Sequence, residues 1–501
     1  MKRLLSLFIM ALCLGQLKAQ PLKYFQGSLE DAKLAAKKQH KLIYLMVGMG
    51  TIDPRFSLVP TDKDLLKRYE SDFICIYKNV SPGAGVDAIY QQYNVTTYPT
   101  HLFLDEQGGL ILKTVGYRSN AEPYLNDINQ AIQLSKGNTL THYHAEYAKG
   151  NRKTDFLKSY LLKYDELDIP VNQEVLETYA NLLPVSKLDD FETVSFLIQR
   201  GPVLSGNAYK ITRVYPKLTD SIYKTLPYEK RVRINNRIIN ASMTAAKAKK
   251  DESLAMQTAS FTQATWTNNW QKGMVAQLSK MMEYYRAVND TVKYLRNASS
   301  YYQQYYLLQR DSIHKPDPLE TTVTVMPPRP VHSAVQKSPA LVPGRPDTKN
   351  DSARIVNKTI TKRITINSLT GSSTLTPGPY ANALEYAATL NNGAWSFYTM
   401  KTTNADYLSK AVIWVWRSIE LFPANTAFYD TLAHLYYLQK KYDEAITTEQ
   451  KAIDISQAAA KSREEIMAKM KTAPLSAFPD PSVKAIEMYT AELEKMKQKT
   501  L

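Results

Sequence analysis

Cysteine is nearly absent from this 501-residue chain, which has only Cys13 and Cys75. Cys13 falls in the amino-terminal stretch MKRLLSLFIMALCLGQLKAQ. Its basic start and apolar run from Leu4 to Leu14 have the pattern of a cleavable export signal over residues 1–19. That run is too short to anchor the chain in a bilayer. Leu12 also stands where lipid attachment at Cys13 would need a small residue. An exported, processed chain keeps one cysteine, so no intramolecular disulfide can form. Cys75 lies in DFICIYKNV, an alternating strand pattern in which a thiol behaves as a small hydrophobe. No later run reads as a transmembrane span. Histidine is sparse too: of seven, His142 and His144 form one H-x-H pair, which reads as ordinary surface, and no metal or cofactor is expected.

What the chain has is apolar content and positive charge. Hydrophobic residues make up 44%, enough for several cores and too many for global disorder. The net charge of +16 sits mainly in residues 138–310, which carry +8, whereas 21–137 carry +1 and 379–501 carry 0. Export argues against nucleic acid as the partner. The basic excess suits a solvated helix face, with contact to an anionic lipid or glycan surface as an alternative.

Residues 20–137 alternate helix and strand signals. Ser28-Leu29-Glu30-Asp31 resembles a capping box ahead of an amphipathic helix, Leu29 to Gln39. Lys41 to Val47 is almost wholly apolar, as in a strand buried on both faces. Helices over Asp62 to Tyr69 and near Val86 to Tyr93 flank a strand over Phe73 to Val80. HLFLDEQGGLILKTVG reads as a hairpin turning at Gln107-Gly108-Gly109. Ser119 is placed to cap a final helix, Ala121 to Leu134.

This order, and above all the segment YNVTTYPTHLFLDEQGGLILKTVGY (Tyr93 to Tyr117), resembles the thioredoxin family. The resemblance covers about 115 residues. It implies a cis Tyr98-Pro99 peptide, with Tyr98, Pro99 and Thr100 forming a groove edge that faces the redox loop. It also places Thr51, Ile52, Asp53, Pro54 and Arg55 where the family carries Cys-x-x-Cys and its following basic residue. No cysteine lies between residues 14 and 74, so no shift of register restores the motif. Dithiol exchange needs an attacking thiolate and a resolving thiol. Asp53-Pro54 is instead a helix start.

Residues 138–310 read as helices, including Tyr228 to Ala248, Asn269 to Val288 and Thr291 to Leu308, in an α-solenoid-like middle domain. Tyr284, Tyr285, Tyr294, Tyr301, Tyr302, Tyr305 and Tyr306 read as inter-helix packing, with an aromatic face for a sugar or peptide as the alternative. Residues 311–378 hold eight prolines between Lys315 and Ser352 and read as an extended linker, with one alternating segment at 354–368.

Residues 379–501 resemble tetratricopeptide repeats. Tyr429, Leu432, Ala433, Tyr436, Tyr442, Ala445 and Ala452 occupy the repeat's packing positions. Trp395, Tyr398 and Ala411 lie 34 residues before Tyr429, Leu432 and Ala445, and Pro423 ends the earlier repeat. Thr399, Thr402 and Glu449 depart from the pattern, Glu449 standing where an aromatic is common.

The expectation is therefore a multidomain α/β plus all-α chain: a thioredoxin-like domain, a helical middle domain, a Pro-rich linker and tetratricopeptide-like helices. Without a dithiol or another catalytic constellation, it is expected to be a non-enzymatic binding scaffold, periplasmic or extracellular, that engages a protein or peptide through its repeats. A thiol-disulfide accessory using Cys75 or the non-standard loop is the enzymatic alternative.

Overall fold

A computed structural model describes residues 22–49, 62–80, 88–315, 379–469 and 481–501. The expected export signal, the loop Thr51 to Arg55, residues 316–378 of the expected linker and its alternating segment at 354–368 lie outside the described residues.

Helix α1 (Leu29–Gln39) begins at a reciprocal cap in which Ser28 Oγ accepts from the Asp31 amide and the Asp31 carboxylate accepts from the Ser28 amide at 2.9 Å. Then follow β1 (Leu42–Met49), α2 (Lys63–Asp72), β2 (Phe73–Val80), α3 (Ala88–Gln92), β3 (Thr100–Leu104), β4 (Leu110–Val115) and α4 (Glu122–Ser135). The four strands form one mixed sheet in the order β2-β1-β3-β4. β1 and β2 are parallel, and β3 is antiparallel to both β1 and β4. The hairpin turns on Asp105, whose Oδ1 accepts from the Gln107 and Gly109 amides at 3.0 and 2.7 Å, with Gly108 at φ 87°. Ser119 does not cap α4. Its hydroxyl donates to Asn120 at 2.7 Å, and the helix starts after Ala121 with Pro123 in its first turn, where a missing N–H costs nothing.

Side chains alternate across β1, and both faces of the sheet are buried. Ile43, Leu45 and Val47 point to one face, where they meet Ala32, Ala36, Ile74, Ile76, Leu102 and Leu104. Tyr44 and Met46 point to the other, against Leu65, Tyr69, Phe73, Phe103, Tyr124 and Ile128 of α2, α4 and the neighbouring strands. Each fully buried aliphatic side chain here contributes about 1.5–3 kcal/mol.

The rest of the described chain is helical: α5 (Leu140–Ala148), α6 (Thr154–Glu166), α7 (Gln173–Asn181), α8 (Phe191–Gln199), α9 (Asn207–Val214), α10 (Pro216–Thr225), α11 (Tyr228–Lys249), α12 (Glu252–Ala264), α13 (Trp270–Ala287), α14 (Thr291–Gln309), α15 (Pro379–Thr399), α16 (Ala405–Leu421), α17 (Thr426–Leu438), α18 (Tyr442–Lys469) and α19 (Pro481–Gln498), with a single 3-10 turn at Val185–Lys187. None of the described helices is long and apolar enough to cross a membrane.

Packing is continuous across position 137, where a domain limit is expected. The first face of the sheet shares a core with Leu140, Leu157, Leu161, Val175, Leu176, Leu197 and Ile211 of α5 to α9. A second core runs through α11 to α14 and on into α15 to α19, joining Met243, Tyr285 and Tyr294 to Tyr386, Trp414, Leu432 and Leu493. The two sides of residues 316–378 are also joined by hydrogen bonds. Tyr386 donates to the Tyr306 carbonyl at 3.0 Å, and Trp414 Nε1 to Gln303 at 3.2 Å. Arg417 donates to the carbonyls of Arg310 and Ile313 at 3.0 and 2.6 Å. The tyrosines of α14 take part in this joint: Tyr302 lies 5.6 Å from Trp414 and Tyr305 5.6 Å from Tyr386, centroid to centroid.

Candidate functional site

The sheet brings the expected groove residues to one end. The Tyr98-Pro99 peptide is cis and leads directly into β3. The Pro99 carbonyl accepts from the Gly116 amide at 2.8 Å, and Thr100 Oγ1 donates to the Thr97 carbonyl at 2.6 Å. Tyr98 is half-buried, edge-on to Tyr90 at 6.5 Å. Val47 pairs with Thr100, so the last turn of β1 lies beside the cis peptide.

One residue beyond Thr100 lies a group that the sequence reading passes over. His101 is fully buried on the face shared with Tyr44 and Phe103. Its Nε2 donates to the Gly116 carbonyl at 3.1 Å, which leaves Nδ1 to accept from the Tyr44 hydroxyl at 2.6 Å. Burial pushes its pKa down to about 4, the hydrogen bond to Gly116 opposing this and the Arg118 cation adding to it. Around the ring, Tyr124 stands edge-on at 5.5 Å, and its hydroxyl accepts from the Arg118 amide at 3.0 Å. Asp127 accepts from Thr114 Oγ1 at 2.9 Å and pairs with Arg118. Both ring nitrogens are occupied, so the imidazole has no free lone pair with which to act as a base. The signal was a polar residue inside the apolar run THLFL, between Thr100 and the hairpin.

Cys75 sits elsewhere. It pairs with Tyr44, three residues back along β1 from Val47, about 10 Å at the usual strand rise. Its Sγ lies 3.6 Å from the Tyr69 carbonyl, and burial raises the thiol pKa far above its ordinary value. The thiolate, not the thiol, is the nucleophile and the metal ligand.

In the helices of the carboxy-terminal part, Ala411, Leu432, Ala433, Ala445 and Ala452 are buried at 0–1% exposure, and Tyr429 at 4%. Pro423 is exposed, and its carbonyl accepts from the Tyr429 hydroxyl at 3.0 Å. Tyr436 and Tyr442 are half-buried, and Tyr436 accepts from Trp416 Nε1 at 3.1 Å. Trp395 and Tyr398 are half-buried as well and close edge-on upon His434, at 5.1 and 4.5 Å. His142 and His144 are exposed on α5, with His144 Nε2 3.1 Å from the Tyr164 hydroxyl. No protein-family model matches this chain, and no curated protein matches its sequence.

Proposed function

We propose that the chain is a redox-inactive, thioredoxin-like binding scaffold of the bacterial cell envelope that engages protein partners through tetratricopeptide-like helices. The observation that carries this reading is the placement of Cys75. The one thiol beyond the amino-terminal stretch lies inside the sheet, bonded to the Tyr69 carbonyl, and away from Pro99. Dithiol exchange has neither of its sulfurs at the groove. The strand order β2-β1-β3-β4, the antiparallel hairpin and a cis proline at the start of β3 support the thioredoxin-like assignment. Small residues buried at 34-residue spacing, Ala411 and Ala445, support the repeat assignment, because they let paired helices approach closely. Ile413 and Trp416 are about half exposed on α16 and offer apolar contact area to a partner.

One set of measurements tests the reading. The mature chain is expected to show no insulin-reduction turnover, and Cys75 is expected to resist an aromatic disulfide reagent until denaturant is added. Immobilised on resin, it is expected to retain a defined protein from envelope extracts, and Trp416→Glu is expected to lose that protein while keeping its circular dichroism. Turnover that disappears in Cys75→Ser would overturn the redox-inactive part. Capture unaffected by Trp416→Glu and Ile413→Glu would overturn the role given to the repeat helices.

A further inference from the structure

The departure at Glu449 has a physical setting. Helix α17 places Asp430 and His434 one turn apart on the same face, α18 brings Glu449 to them, and α19 brings Glu492. We propose that Asp430, His434 and Glu449, with Glu492 at their rim, bind one divalent transition-metal ion. This inference concerns α17 to α19 and does not depend on the groove at Pro99.

Geometry supplies the first support. One donor atom each from Asp430, His434 and Glu449 lie within 4.8 Å of one another. Donors around a single zinc-sized ion stand roughly 3–4 Å apart, so a small closure suffices. His434 is already oriented for such a role. Its Nδ1 lies 2.8 Å from the Asp430 backbone carbonyl, the contact that leaves Nε2 as the coordinating nitrogen. Nε2 faces Glu492 Oε2 at 3.6 Å, whereas Asp430 Oδ1 lies 3.3 Å from Nδ1, so the Asp430 carboxylate has to swing toward Nε2 to share the ion.

The second support is independent. Glu449 is 0% exposed, and neither of its carboxylate oxygens has a hydrogen-bond partner among the described residues. A buried carboxylate without donors is costly. Protonation, favoured by burial that raises its pKa to about 8, removes the charge but leaves both oxygens without a partner. A cation satisfies them. The charge balance agrees: three carboxylates surround one imidazole, and Lys495 meets only the outer side of Glu492, at 2.8 Å. Trp395 and Tyr398 wall the site on one side, while Asp430 and Glu492, 16% and 24% exposed, give the ion an entry. Imidazole with carboxylates is a donor set for zinc or manganese rather than for soft, thiolate-seeking ions.

The test uses the mature full-length chain, stripped with a chelator, then dialysed against Zn2+ or Mn2+ and analysed by elemental mass spectrometry and thermal denaturation. One ion per chain and a Tm that rises with metal are expected. Glu449→Gln and His434→Gln are each expected to bind at least tenfold more weakly. The double variant His142→Ala/His144→Ala is expected to bind as wild type. Absence of binding to wild type, or undiminished binding in Glu449→Gln and His434→Gln, overturns the proposal. If either variant fails to fold, Glu492→Gln on the rim replaces it, and unchanged affinity there overturns the proposal equally.

Discussion

Replacing Trp414 by alanine is expected to lower the stability of the helical part by about 3–5 kcal/mol, the range for deleting a buried aromatic. The indole is fully buried. It lies between Tyr302 of α14 and Phe397 of α15, at 5.6 and 5.7 Å, and its Nε1 donates to Gln303. The surroundings cannot close over the vacancy cheaply. Gly393 already packs so tightly on Tyr302 that an added Cβ would stand 2.6 Å from the ring. A domain is stable by only about 5–15 kcal/mol, so this loss is a large share of the total. Denaturant unfolding followed by far-ultraviolet circular dichroism measures it. Trp416→Ala, half exposed two residues away, is the control and is expected to change stability by roughly 0.5 kcal/mol. Equal effects from the two substitutions would show that α14 and α16 do not share this core.

Acid is expected to destabilise the sheet domain through His101. In the unfolded chain this histidine titrates near 6.5, and in the folded chain burial lowers the value to about 4. Above pH 6.5 both forms are neutral, and the contribution to stability is fully present. As pH falls from 6.5 to 4, the unfolded chain takes up a proton that the folded chain refuses, so stability falls. Below pH 4 both forms carry the proton, and the loss is complete. At about 1.4 kcal/mol per pH unit, the loss amounts to about 3 kcal/mol. The groups facing the ring are Tyr44, Tyr124, Arg118, Asp127 and the Gly116 carbonyl, and of these the Gly116 carbonyl and Asp127 favour the imidazolium. Urea unfolding at pH 7 and pH 4, for wild type and His101→Gln, isolates this contribution as the difference in acid sensitivity. The variant is expected to be less stable than wild type at pH 7 but to lose about 3 kcal/mol less on acidification. Identical acid sensitivity would remove His101 as the cause.

Features set by local chemistry were legible in the sequence. Ser28 and Asp31 marked the start of α1 and Gln107-Gly108-Gly109 marked the hairpin turn, while the cis Tyr98-Pro99 peptide was implied by the family resemblance of Tyr93 to Tyr117. Helices such as α11 and α14 agree with their apolar periodicity to within about a residue. Where two local signals competed, the wrong one could be chosen: Ser119 is a good capping residue, yet its hydroxyl turned to Asn120 while Pro123 set the first turn of α4. What stayed hidden was non-local. No pattern in α6 to α9 says that they cover the sheet, and none in α14 says that it packs against α15 and α16. The site residues divide in the same way. Pro99 belongs to a recognisable turn, whereas His101 gains its role only from Tyr44 and Gly116, 57 and 15 residues away. Glu449 stood out as a departure from the expected repeat pattern, but its neighbours Asp430, His434 and Glu492 come from other helices.

The core shared across residues 316–378 changes what that stretch does for the molecule. Tyr386, Trp414 and Arg417 hold α15 and α16 to α14 directly. The helices on either side of residues 316–378 therefore share one interior. Loop closure grows more costly only slowly with length, so lengthening or shortening the connection is expected to alter stability little. Proteolytic cleavage within it is expected to leave two fragments that co-elute on size exclusion. The polypeptide is continuous there, but the architecture does not rely on that continuity.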